Sequence, residues 1–141
     1  MHDIVIGYDG SDGAKAALAA AVSVAKAFDA PLVLTFGYEV SPVGGETADY
    51  QARIEAIGEQ VLAEGVAAAV AMDSTVKVES MVVADRPVES LLDVAAARSA
   101  RVIVVGGNGA GPLRGAILGS VPHKLLHRST FPVLVVPAPE E

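Results

Sequence analysis

Short runs of β-branched and aliphatic residues, each bounded by Gly, Pro or Asp, recur at Ile4–Gly7, Leu32–Phe36, Val76–Val83, Val102–Val105 and Pro132–Val136. Their length and their flanks predict five strands. Between them the apolar positions change to a helical period. Ala14, Ala17, Leu18, Ala21, Val22, Ala25 and Phe28 share one face of a first helix, and Ile54, Ile57, Val61, Ala68 and Met72 share one face of a second. Asp85-Arg86-Pro87 announces a third, with Pro in its first turn and Val88, Leu91, Leu92 and Ala95 following at helical spacing. A fourth spans Ser120 to Arg128. Ser41–Asp49, with Pro42, Gly44 and Gly45, reads as a long polar loop, and Ala138–Glu141 as an acidic tail.

Strands that are apolar on both faces and alternate with helices predict a parallel sheet covered on both sides. Right-handed crossovers make this a doubly wound α/β sandwich. The length, 141 residues without an internal repeat, fits one domain over 1–141. With 52% apolar and 19% charged residues the chain can fill a core, which excludes disorder for its bulk. Only 4% is aromatic, so Ala, Val, Leu and Ile must do the packing. Cysteine is absent, which excludes disulfides, a thiol nucleophile and Cys-based metal sites. A net charge of -7 argues against nucleic acid as a partner. Lys15, Ser23 and Lys26 interrupt the richest apolar stretch, so no membrane helix is expected. His2 and Asp3 lead straight into the first strand without a basic leader, and a cytoplasmic protein is expected.

In doubly wound sheets ligands bind beyond the carboxyl ends of the strands, where strand order reverses. Two glycine-rich loops sit at such ends: Gly7-Tyr8-Asp9-Gly10-Ser11-Asp12-Gly13 and Gly106-Gly107-Asn108-Gly109-Ala110-Gly111-Pro112. Glycine lets backbone N–H groups approach an anion closely. The second loop leads to Gly119-Ser120-Val121, where the open N–H groups and positive dipole end of the fourth helix favour a phosphate. Ser120 adds a hydroxyl there or caps the helix. Neither G-x-x-x-x-G-K-[ST] nor G-x-G-x-x-G occurs, so the Walker and Rossmann readings fail.

Gly106-x-x-Gly109, nine intervening residues and Gly119-Ser120 resemble the G-x2-G-x9-G-[ST] signature of the ATP-binding branch of the universal stress protein family. The resemblance extends to Ile4-Val5-Ile6-Gly7-Tyr8-Asp9-Gly10-Ser11, the Pro87 helix and the Pro132-Val133-Leu134-Val135-Val136 ending. It implies a five-stranded parallel sheet in the order 3-2-1-4-5 with helices on both faces, an adenine-nucleotide α-hydrolase-like sandwich. It also implies ATP, with or without magnesium, lying across strands one and four. Gly7, Tyr8 and Asp9 would border the nucleotide, with Asp9 nearest the ribose, the phosphates or a water-linked metal. Phe36 would offer backbone groups to adenine, Gly106 and Gly109 would pass under the ribose and phosphates, and Gly119, Ser120 and Val121 would hold the phosphates. Read without the resemblance, Asp9 is a carboxylate capping the next turn and Phe36 a core residue.

Two departures stand out. Gly107 and Asn108 occupy positions where the family commonly carries Ser and Arg, and Pro122 stands where it usually places Ser or Thr, so phosphate donors are missing. Arg114 reads as a solvated surface residue. His123, Lys124, His127 and Arg128 read as cations near a helix C-terminus, since neither H-E-x-x-H nor a third zinc ligand accompanies them. A Ser120, His123 and Asp9 triad lacks a nucleophile elbow and is rejected. The expected function is a regulatory ATP-binding protein with slow or no hydrolysis. The alternatives are a cyclic AMP-binding member and a nucleotide-free dimeric adaptor. An adenylate-forming enzyme is disfavoured, because Gly10-Ser11-Asp12-Gly13 lacks the Ser-Gly-Gly and Asp-Ser phosphate loop. The strand order implied would leave Val133–Val136 at a sheet edge, where unpaired backbone groups invite a homodimer.

Overall fold

A computed structural model of the chain describes residues 2–39, 47–107 and 119–137. Along the chain run β1 (Ile4–Gly7), α1 (Asp12–Phe28), β2 (Leu32–Gly37), α2 (Thr47–Met72), β3 (Val78–Val83), α3 (Pro87–Arg98), β4 (Val102–Gly106), α4 (Ser120–Arg128) and β5 (Val133–Val136). The strands form one sheet in the order β3-β2-β1-β4-β5, every pair parallel, with Val5 of β1 opposite Val33 of β2 and Ile103 of β4. This is the α/β sandwich that the alternation of strands and helices predicts. Strand pleating divides the core: Ile4, Ile6, Leu32, Leu34 and Val104 pack with the Ala-rich face of α1 and with α2, whereas Val5, Val33, Ile103 and Val105 pack with α3 and Leu125 of α4. No helix among the described residues is long and apolar enough to cross a membrane.

The α1 face is buried as its spacing predicts, from Ala14 to Ala25, except at its end. Phe28 is 51% exposed and lies beneath the Arg101 guanidinium, 4.3 Å from the ring centroid. In α2 the expected face holds in part, with Val61 and Ala68 half-buried against the core, but its centre is shifted. Ile57 is 54% exposed and Met72 is also exposed, while Gly58, Leu62, Gly65 and Ala69 turn toward the sheet. The reason is steric. A Cβ on Gly58 would stand 2.7 Å from the Phe36 ring, and one on Gly65 would stand 2.7 Å from both Leu34 and Tyr8. The helix presses its glycines, which carry no hydrophobic signal, against the large residues of β1 and β2.

Two boundaries also differ. Thr47–Asp49, expected in the polar loop, opens α2, and residues 41–46 of that loop lie outside the described residues, as does the tail 138–141. Val76 is buried but precedes β3, because the Asp73 carboxylate accepts from the Thr75 N–H (2.9 Å) and hydroxyl (2.5 Å) and holds a turn. Leu32 N–H then donates to the Lys77 carbonyl, 2.8 Å, where pairing begins.

At the amino ends of the strands, Arg98 closes α3 onto the sheet. One guanidinium nitrogen lies 3.2 Å from both buried Asp3 and Glu79, and the other donates to Glu79 at 3.2 Å. The hydrogen bonds and charge of Arg98 hold the Glu79 carboxyl below the ordinary carboxylate range. A depressed folded pKa stabilises above the unfolded value and is lost as pH falls through the folded one. Arg98→Met should therefore lower the stability by about 2 kcal/mol near neutral pH, chiefly by leaving Asp3 buried without its partner. Urea denaturation of both proteins should show the gap narrowing as the pH drops below about 4, the ordinary range of Glu; a gap independent of pH would contradict the assignment.

Candidate functional site

The strand order places β1 between β2 and β4, and the helices that follow these two strands, α1 and α4, depart to opposite faces of the sheet. Between the two departures lies a cleft of about 270 Å³. Gly7, Tyr8 and Asp9 at the end of β1, Phe36 at the end of β2, Gly106 at the end of β4, and Gly119, Ser120 and Val121 at the start of α4 all line it. Gly109, Asn108 and Arg114 lie outside the described residues. The wall also includes residues that the sequence alone did not single out: Ser11, Gly13, Thr35, Gly37, Pro87 and Leu91. A polar residue near the end of an otherwise apolar strand was the signal for Thr35.

Several of these residues offer the cleft their backbone more than their side chain. Tyr8 is buried with its ring packed against Gly65, and its N–H donates to the Thr35 carbonyl, 2.9 Å. Burial, followed by the charges of Glu64 and Asp9, raises its phenol pKa. The Phe36 ring packs against Gly58, so it is a core side chain on a cleft-lining backbone. Asp9 does cap a turn with one oxygen: Oδ1 accepts from the Ser11 N–H, 3.0 Å, around Gly10 at φ +80°. Ser11 in turn caps α1 by accepting from the Ala14 N–H, 3.2 Å.

At the other wall Gly119, not Ser120, is the N-cap of α4. Gly119 N–H donates to the Gly107 carbonyl, 2.9 Å, and His123 N–H to the Gly119 carbonyl, 3.1 Å. Pro122 is therefore the third helical residue, where its missing N–H breaks no helical bond. Two N–H groups, of Ser120 and Val121, remain for an anion at the helix start. Gly107 also has a steric reason: a Cβ there would stand 2.7 Å from Val135 Cγ1. The described wall contains one carboxylate, Asp9, and no Lys, Arg or His. His123 and His127 are exposed on α4, with ring centroids 4.7 Å apart. Among the described residues no group of three or more His, Cys, Asp or Glu stands together.

The model of the universal stress protein family matches residues 1–137. A universal stress protein of Thermus aquaticus is 35% identical over 137 residues, spanning 94% of this chain and 96% of that one. Among solved structures, a universal stress protein from Archaeoglobus fulgidus aligns with a TM-score of 0.79 at 23% identity, covering 96% of this chain and 98% of that one, a likeness of fold. Another, described as a universal stress protein in complex with cAMP, aligns with a TM-score of 0.74 at 30% identity over 98% of each chain.

At Gly106 the cleft wall closes backbone against backbone. A Cβ on Gly106 would stand 2.9 Å from the carbonyl carbon and oxygen of Gly13, atoms that a rotamer change cannot move. Gly106→Ala should push α1 from β4, costing about 1–3 kcal/mol in a urea unfolding midpoint series, as overpacking does elsewhere. An unchanged midpoint would mean that the first turn of α1 yields freely.

Proposed function

This chain belongs to the universal stress protein family, and from that premise we propose that it is a regulatory protein switched by an adenine nucleotide. The observation carrying the reading is the cleft at the β1/β4 reversal, with close-packed glycine backbone on one side and two open N–H groups of α4 on the other. Gly7, Tyr8 and Asp9 would border the nucleotide, Phe36 would present backbone to the base, Gly106 and Gly109 would underlie the ribose and phosphates, and Gly119, Ser120 and Val121 would hold the phosphates. In the primary reading the ligand is ATP. Asp9 is exposed, with one oxygen engaged by Ser11, and its charge suits a magnesium ion carried with the phosphates. Fast hydrolysis needs cationic clamps on the moving phosphate, and no cationic side chain stands in the described wall.

The same lack of cations favours a second reading, cyclic AMP, which carries a single negative charge. The relative described as a cAMP complex supports it. Mass spectrometry of nucleotide released from freshly purified, acid-denatured protein separates ATP, cyclic AMP and nothing, the last outcome leaving the adaptor. A ligand that binds only the folded state raises the melting temperature by mass action. ATP with magnesium should raise it, and more than cyclic AMP does; a larger rise with cyclic AMP would reverse the order of the two readings, and no rise at millimolar concentration of either would overturn both.

We further propose a homodimer through β5. This strand closes the sheet beside β4 and has no partner on its other side among the described residues. Val133 and Val135 are half-buried and pack toward the cluster that holds Leu125 and Ile103. Leu134, 36% exposed, is the side chain of this strand that meets solvent, between the flanking Pro132 and Pro137 that limit any shared ladder. Light scattering should give twice the chain mass, and Leu134→Lys should shift the protein toward monomer; a wild-type monomer at high micromolar concentration would contradict this interface.

A further inference from the structure

Thr35 is the most deeply buried polar residue in the cleft wall, 2% exposed, and among the described residues its hydroxyl oxygen has no hydrogen-bond partner. Buried polar groups are nearly always paired, so an orphan in a ligand-sized cleft points to a partner that arrives with the ligand. Strand pairing fixes where it stands. Thr35 lies opposite Gly7 of β1 and Met81 of β3, on the face of the sheet covered by α3 and α4. Another buried hydroxyl on that side, of Ser90, is already spent: it packs onto Gly37 and bonds the Asp85 and Arg86 carbonyls at 2.9 and 2.8 Å.

We propose that the Thr35 hydroxyl recognises the nucleobase, hydrogen-bonding a ring nitrogen or exocyclic amine at the base edge; the inference rests on the nucleotide reading above. The two ends of the cleft differ in chemistry. The α4 end, beside β4, offers N–H groups and a helix dipole, which suit phosphate. The β2 end, two strand spacings or about 10 Å away, is bounded by Pro87 and by Leu91, which approaches Gly7 where a side chain would otherwise stand. The side chains at that end are apolar apart from Thr35. A flat heterocycle can lie against Leu91 and Pro87, and a hydroxyl, both donor and acceptor, can meet the nitrogen atoms at its edge.

Thr35→Val keeps the shape and removes the hydroxyl, and Thr35→Ser keeps the hydroxyl. Calorimetric titration with ATP and magnesium, and separately with cyclic AMP, should find Thr35→Val about 10-fold weaker for whichever nucleotide the wild type binds, with Thr35→Ser within about 3-fold of wild type. Without nucleotide, Thr35→Val should melt no lower than wild type, because it loses an unpaired buried polar atom. Equal affinity of wild type and Thr35→Val, equal weakening by both substitutions, or a ligand-free Thr35→Val that melts several degrees lower would each overturn the inference while leaving the nucleotide reading intact. A wild type that binds neither nucleotide would overturn both.

Discussion

The position of β1 in the middle of the sheet is the constraint on which the site depends. A parallel strand reached by a right-handed crossover places its helix on a face set by the direction of travel along the sheet. The chain moves from β1 through β2 to β3 with α1 and α2 on one face, then returns past β1 to β4 and β5 with α3 and α4 on the other. The helices after β1 and β4 therefore lie on opposite faces, and a crevice opens between neighbouring strands without any residue being chosen to make it. Side chains decide only what the crevice can hold.

Its described wall is built largely from groups that cannot move. Gly106 and Gly13 meet backbone to backbone, Gly119 is tied to Gly107, and Asp9 and Ser11 lock the turn into α1. Such a wall meets a ligand with fixed N–H dipoles instead of long charged side chains, so little side-chain entropy is lost on binding. The cost is weak attraction for highly charged groups. A chain of net charge -7 with one carboxylate and no cationic side chain in that wall would, in the proposed nucleotide complex, rely on a helix dipole, and on any metal the ligand brings, to offset phosphate repulsion.

What was legible in the sequence is what hydrophobic periodicity and glycine spacing encode. Five apolar runs gave the strands because a parallel strand buries both faces, and Ser120–Arg128 and the Pro87 start gave α4 and α3 at their observed positions. Eight of the nine residues singled out by resemblance meet at one cleft because their loops follow adjacent strands, the ninth being Gly109 outside the described residues. On α2 periodicity was right for Val61 and Ala68 and wrong for Ile57 and Met72. It ranks Ile57 and Met72 above Gly58 and Gly65, whereas close packing against Phe36, Leu34 and Tyr8 ranks them the other way. Thr35 escaped for a related reason, since a Thr within a strand reads as β-propensity until its neighbours are known to leave its hydroxyl alone.

The Pro122 departure shows how position changes the meaning of a residue. Read along the sequence, a Pro in place of Ser or Thr removes a hydroxyl and an N–H from a phosphate site. Placed third in α4, it removes an N–H that no helical bond uses, and its buried ring helps anchor the helix start. The loss to the proposed phosphate site would then be one donor of three, with Ser120 and Val121 keeping theirs, while φ near -65° is already what the first turn requires. Fewer donors at the phosphate end leave proportionally more of any affinity to the other end of the cleft. There the base would lie on apolar α3 residues, and an unpaired hydroxyl is the one polar side chain available to meet it.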